Sequence, residues 1–408
     1  MSIIRTVIIS ACSCLCVHYA SAQYETLFQT NSLIDPSNSN KLFLNVDNLS
    51  FFQNNENDGK YLSGYTLPGF RLETKLIYYP LPNVKLEGGA YFLKYWGATS
   101  YPQVSYIGIP RVNERNSSGV HCLPYLRAQV DFMNKFSLII GDIYGGANHR
   151  LITPLYNPDY NLTADPEAGI QFLARTDRAF LDVWANWDTF IFNDDTKQES
   201  FFFGLSGEYK FVENEKYTVS APLQALFHHK GGELDTLVGN SIQTELNAAT
   251  GVQVRRRLQD TKRPTELYAN AYGLFYKVMS GQNKFPFTQG WAFNADLGCK
   301  FGDLNVALSY WQSNKFSTLL GSSLYGNIST STIRYGYVMG TNHMCALNAD
   351  YGKSLNNFIT IGGSMRNYLM FPVHSQSPEG ECYNFPMAYN FEVGLYIRIN
   401  PSFLLKQF

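Results

Sequence analysis

The 408-residue sequence carries 32 Lys and Arg against 33 Asp and Glu, a formal net charge of −1, which gives no electrostatic case for nucleic acid as a partner. Only 16% of residues are charged while 15% are aromatic, against roughly 25% charged in soluble proteins. Beyond residue 22 no run approaches the roughly 18 consecutive apolar residues of a spanning helix, and mean hydropathy is −0.19; a polytopic helical protein is excluded, and only a closed barrel remains as a way across a bilayer.

Arg5, the apolar stretch Thr6 to Val17 and the small residues Ala20-Ser21-Ala22 have the layout of a cleaved secretory signal over residues 1–22. The mature chain then begins at Gln23. A lipoprotein box ending at Cys12 is the rival, and it leaves only Thr6 to Ala11 as apolar region. Residues 23–40 read as a short polar segment, too short for a plug domain. From Lys41 onward, helical periodicity is nearly absent and period-two alternation dominates, so residues 41–408 are expected to form one all-β domain.

The alternation is clearest from Gly69 to Pro80, where Phe70, Leu72, Thr74, Leu76 and Tyr78 face one way and Arg71, Glu73 and Lys75 the other. Comparable segments begin near Lys41, Val84, Val120, Lys135, Gly169, Ala179, Ser200, Lys216, Gln243, Pro264, Gly290, Leu304, Thr341, Asn356 and Ala388. The count predicts an antiparallel transmembrane β-barrel of about sixteen strands, within a range of about 14 to 18. Tight turns at Pro82-Asn83, Met133-Asn134, Thr176 to Arg178, Glu213 to Glu215, Asp260 to Arg263, Gly302-Asp303 and Ser354-Leu355 alternate with long loops. Those loops run from Gly97 to Gly119, Gly145 to Ala168, Gly231 to Ile242, Phe316 to Gly340 and Phe371 to Met387. Short periplasmic turns on one rim and long extracellular loops on the other are the pattern of an outer-membrane barrel. A soluble sandwich or propeller fits less well, because the strands are long and no blade-length repeat appears.

The segments Gly64-Tyr65-Thr66-Leu67-Pro68-Gly69-Phe70, Phe92 to Gly97, Asn148-His149-Arg150-Leu151 through Tyr156, and His228-His229-Lys230-Gly231-Gly232 resemble porin-like outer-membrane β-barrel proteins of the Bacteroidota type. The resemblance covers most of the chain and brings no catalytic motif. It implies an outer-membrane location, the outer-membrane assembly machinery as a partner in biogenesis, and a homo-oligomer of the porin kind. A terminal aromatic, Phe408, matches such barrels, but Pro401 breaks the last alternation and places Phe408 in a tail.

If the apolar faces meet lipid, the opposite faces line a lumen with Arg71, Glu73, Lys75, Lys85, Glu87, Arg127, Asp131, Arg175, Asp182, Glu208, Lys210, Asp296, Lys300, Glu392 and Arg398, joined by Arg255, Arg257 and Arg366. Such mixed charge suits passive diffusion of small polar solutes through a porin-like channel, without a cofactor; the alternative is a plugged interior with charges paired across strands. The loop after the fifth segment offers Asn148, His149, Arg150, Asp159, Asp165 and Glu167 as a constriction, or else as an ordinary external loop. Adjacent residues on a strand point to opposite faces, so His228 and His229 do not share a metal ion. Scattered Ser and His nominate no triad, and the chain is expected not to be an enzyme. Cys122, Cys299, Cys345 and Cys382 allow three full pairings and select none. Arg255-Arg256-Arg257 with Lys262-Arg263 reads as a solvated rim. A non-conducting structural or companion barrel in an envelope complex is the second functional expectation.

Overall fold

A computed structural model of the 408-residue chain describes residues 24–57, 62, 64–96, 120–189, 198–232, 242–258, 264–281, 286–331 and 334–408. The signal segment, the loop from Gly97 to Gly119 and the turn from Asp260 to Arg263 lie outside the described residues, as do Lys262-Arg263 and the middle of the loop from Gly231 to Ile242.

Strands follow one another as β1 (Lys41–Glu56), β2 (Tyr65–Leu81), β3 (Val84–Tyr95), β4 (His121–Phe132), β5 (Phe136–Asp142), β6 (Ala168–Arg175), β7 (Ala179–Thr189), β8 (Ser200–Glu213), β9 (Tyr217–Lys230) and β10 (Gln243–Arg257). They continue as β11 (Glu266–Ser280), β12 (Gln289–Phe301), β13 (Leu304–Asn314), β14 (Val338–Met339), β15 (Asn342–Ser354), β16 (Ile359–Met370), β17 (Val373–Gln376), β18 (Cys382–Phe385), β19 (Ala388–Ile399) and β20 (Ser402–Gln407). Among the described residues, sixteen of these (β1 to β13, β15, β16 and β19) form the wall, each antiparallel to its neighbours. The wall closes where β19 pairs with β1, from Asn48 against Ile399 to Glu56 against Phe391.

β4 explains why the alternation becomes wall. Tyr125, Arg127 and Gln129 are 2%, 6% and 0% exposed, whereas Leu126 and Val130 are 66% and 41% exposed. Polar side chains inside and bare aliphatics outside invert the order of a soluble protein, and the inversion is stable only where hydrocarbon covers the outer face. The turn after β4 takes three residues, 133–135, and two of them, Met133 and Asn134, stand at positive φ, as a tight hairpin between twisted strands requires.

Phe408 does not lie in a tail. After the break at Asn400-Pro401 the chain resumes as β20, which pairs with the first residues of β1, and the Phe408 amide donates to the Asn40 carbonyl at 2.8 Å. Pro401 interrupts the strand without ending it, because its carbonyl still accepts from the Val46 amide.

The interior is filled. The segment from Tyr24 to Asn38 runs inside the barrel, held by Arg398, which donates to the carbonyls of Thr26 (2.8 Å) and Gln29 (2.6 Å) while its guanidinium pairs with Asp47. Leu27 is fully buried and presses on Gly362, where a Cβ would stand 2.3 Å from its methyl carbon. The segment is too short to fill the barrel alone. Residues 143–167 and 315–331 also turn inward, joined by a bridge between Tyr156 and Leu320, and the second docks on the inward side chain of Asn247. Leu155, Tyr160, Phe316, Leu319 and Leu324 then pack against Trp184, Phe202, Leu226 and Trp311 of the wall. Over the long-loop rim, β14, β17 and β18 form a separate three-stranded sheet.

Candidate functional site

The charged interior begins as an alternation on β2, β3 and β4 and becomes a network because register brings the inward residues level. Glu87 faces Arg127 across one ladder and Ile77 across the other. Lys75 reaches Glu73 at 2.6 Å and Glu87 at 3.6 Å, Lys85 reaches Glu87 at 2.9 Å, and Arg127 reaches Glu87 at 3.3 Å. Arg127 also donates to the Ile143 carbonyl at 2.9 Å and lies 3.8 Å over the ring of Tyr144, which fixes the start of the inward loop. Arg71 lines a polar cavity of about 70 Å³ together with Thr30, Glu73, Tyr125, Asn148 and Glu167.

Other sequence-predicted lumen residues are dispersed. Asp131 accepts from Gln129 and, at 3.4 Å, from the Ile34 amide, and Arg175 donates to Ser137 and Ser32, so both anchor the N-terminal segment. Asp182 sits under His149. Lys210 pairs with Glu213 near the short-turn rim, Lys300 with Glu266, and Arg366 with Asp350. Asp296 accepts from Asn294, Glu392 accepts from Tyr368, and Glu208 is half-buried. Arg257 donates to the Asn214 carbonyl at the rim.

Five of the six loop residues expected at a constriction are anchored by polar contacts. Asn148 accepts from the Thr30 amide at 2.8 Å. His149, 1% exposed, is held between Asp182 (2.8 Å) and Glu167 (3.1 Å) and stacks on Trp184 at 3.6 Å. Burial opposes a charge on this imidazole, but Glu167 and Asp182 outweigh it and push its pKa up to about 9. Arg150 turns through a left-handed conformation and lies 3.9 Å over Phe180. Asp165 meets His121 at 2.8 Å. Asp159 accepts from Asn55 at 2.7 Å and from Tyr65; burial nonetheless raises its pKa above the usual carboxylate range.

A chemically different grouping lies at the long-loop ends of β7, β8 and β9. Ser200 Oγ stands 3.0 Å from His228 Nε2 and 2.9 Å from Asp188 Oδ2, facing inward, with His228 stacked on Phe202 at 4.1 Å. The hydroxyl donates to Asp188 and stands within reach of the imidazole, which gives the nucleophile–base contact of an activated serine with the carboxylate on the hydroxyl and not on the imidazole. Scatter along the sequence hid it. The signal was in the hairpin: a turn at residues 214–216 sets Ser200 opposite Lys230 and Phe202 opposite His228, so Ser200 and His228 are diagonal neighbours on one face. His229, the next residue, points outward to Thr244.

Over residues 34–408 the sequence matches the family profile described as Lipid A 3'-O-deacylase-type. Among solved structures, Pseudomonas aeruginosa OprD is 10% identical, with a TM-score of 0.47 over 91% of this chain and 99% of that one. Pseudomonas aeruginosa OpdK with vanillate is 10% identical (TM-score 0.45, 89% and 99% covered), and Acinetobacter baumannii OccAB4 is 9% identical (TM-score 0.44, 90% and 100% covered). No curated protein matches the sequence. The family description carries an ester-cleaving activity, and it overturns the expectation that this barrel is not an enzyme.

Proposed function

The chain belongs to the lipid A 3'-O-deacylase-type family, and from that premise we propose that it is an outer-membrane hydrolase removing an ester-linked acyl chain from an outer-leaflet glycolipid of the lipid A class. The observation that carries this reading is the 3.0 Å contact between Ser200 Oγ and His228 Nε2, at the rim where the long loops leave the wall. In the reaction, Ser200 Oγ attacks the ester carbonyl as its proton passes to His228 Nε2. The imidazolium then protonates the departing sugar oxygen, leaving an acyl-serine. Water, deprotonated by His228, cleaves that intermediate and frees the fatty acid. The serine hydroxyl rests on Asp188 Oδ2 and turns to His228 Nε2 for the first of these transfers. Purified barrel supplied with lipid A is expected to release one fatty acid per molecule, and Ser200→Ala to lower the rate by about 10³-fold or more. Undiminished release by a folded Ser200→Ala variant refutes the assignment of the nucleophile.

A second reading, a channel for small polar solutes, draws on the mixed-charge wall around Glu73, Lys75, Lys85, Glu87 and Arg127. The segment from Tyr24 to Asn38 and the inward loops over residues 143–167 and 315–331 stand in that route, so conduction on this reading requires them to withdraw. Planar-bilayer recordings of the wild-type chain and of a variant lacking residues 24–38 and 315–331 separate the two: ohmic steps in the variant alone support a gated channel, and silence from both, with the variant folded, favours the hydrolase alone.

A further inference from the structure

The outer face of the wall carries a polar feature that the hydrolytic reading does not use. We infer that the outward-facing side chains of His229, Thr244 and Ser280, with Lys277 below them, seat the phosphate of an outer-leaflet lipid.

Register draws the site. Trp187, Phe201, His229, Thr244 and Ser280 are successive partners across β7 to β11, so they form one file around the wall. Their chain neighbours Ser200, Phe202, His228, Gln243 and Glu245 are buried toward the interior, which turns the file toward the bilayer. The file one step nearer the membrane centre is Ala185, Phe203, Phe227, Leu246 and Lys277, and the one after it is Val183, Leu205, Ala225, Ala248 and Phe275. The outer face therefore changes from apolar to polar at this height, on the long-loop side, with Trp187 and Phe201 at the edge. That is where headgroups of the outer leaflet lie.

Three side chains of the file are already linked: Ser280 Oγ donates to Thr244 Oγ1 at 3.0 Å, and Thr244 Oγ1 meets His229 Nδ1 at 2.9 Å. Phe201 leans on the imidazole at 4.8 Å and holds its plane. This order spends Nδ1 and leaves His229 Nε2 without a protein partner among the described residues, as is the Lys277 ammonium. The neighbouring carboxylate, Glu199, accepts from the Trp187 indole at 2.8 Å. Two nitrogens without protein partners among the described residues, one of them a fixed cation, face the headgroup layer beside hydroxyls, and this is the donor chemistry that an anionic phosphate takes. A lipid delivers it at this height, because its acyl chains then cover Phe203, Phe227 and Leu246. Since His228 and His229 are adjacent residues, the seat and the Ser200–His228 pair stand at one height on opposite faces of the wall, but the seat rests only on the membrane placement and not on hydrolysis.

Native mass spectrometry of the detergent-solubilised full chain tests this, with diphosphorylated lipid A, its dephosphorylated form and inorganic phosphate as probes. The wild-type barrel is expected to hold diphosphorylated lipid A one to one, and H229Q/K277Q or the dephosphorylated lipid to weaken the adduct by about tenfold or more. Leu223→Ala, outward on β9 nearer the membrane centre, is expected to retain it. Ser200→Ala is expected to retain it too, so turnover lost with the adduct intact bears on hydrolysis alone. Equal adducts from H229Q/K277Q and wild type, or from both lipid forms, overturn the proposal. Displacement of the lipid by equimolar inorganic phosphate overturns the lipid assignment. Where the double variant lacks the gel-mobility shift of a folded barrel, K277Q alone is measured.

Discussion

His149 carries its charge where burial alone would deny it one, because two carboxylates, Asp182 and Glu167, close on its ring nitrogens. Its pKa is raised from 6.5 to about 9, so the sign of the linkage is fixed: the stabilisation is fully present below about pH 6.5 and is lost as pH rises through about 9. The shift corresponds to something on the order of 3 kcal/mol. Thermal unfolding in detergent is expected to show the wild-type midpoint falling between pH 6.5 and 9, and His149→Gln to flatten that fall. A wild-type midpoint unchanged across this range contradicts the assigned charge. The loop residues Asn148 to Glu167 were legible in sequence as a polar cluster following the fifth strand, and the structure brings most of them to the interior. Their partners were not legible, since Asp182, His121 and Tyr65 come from three other strands whose relative height depends on the shear of the closed wall.

At the scale of an element, the segment from Tyr24 to Asn38 has no strand ladder of its own and depends on side chains of the wall. Arg398 is the main clasp: it holds two backbone carbonyls closely and pairs with Asp47 at 2.6 Å. Replacing Arg398 by Ala leaves Asp47 buried without its cation, a loss of roughly 3–5 kcal/mol, and frees the segment. Limited proteolysis is expected to cut residues 24–38 in Arg398→Ala under conditions where the wild-type segment survives. Equal protection in both proteins denies Arg398 this role. The strands were readable because a period of two has one solution per face, and fifteen of the sixteen expected starts fall within three residues of the observed ones, the exception being Gly69 against Tyr65. β20 was not, because Pro401 breaks the pattern that would have announced it, and only closure against β1 supplies its partner. The inward course of the N-terminal segment was equally hidden: its sequence is polar, and Leu27 and Phe28 are buried only because the barrel surrounds them.

At the scale of the whole molecule, the wall faces hydrocarbon outside and a packed, ion-paired filling inside. Tyr144, Tyr156, Phe316 and Trp311 fill space that open alternation would have left to water. This arrangement leaves the proposed nucleophile Ser200 and its partner His228 at the rim, where the outer face turns polar. Fold class was legible from composition and alternating loop lengths, whereas activity was not, since no local motif surrounds Ser200 and its partners arrive from two other strands. The most direct test of the account reconstitutes the full chain with lipid A and follows the lipid by mass spectrometry. Loss of the mass of one 3'-linked acyl chain with wild type, and none with Ser200→Ala, is the expected result; intact lipid A after incubation with the folded wild-type barrel contradicts it.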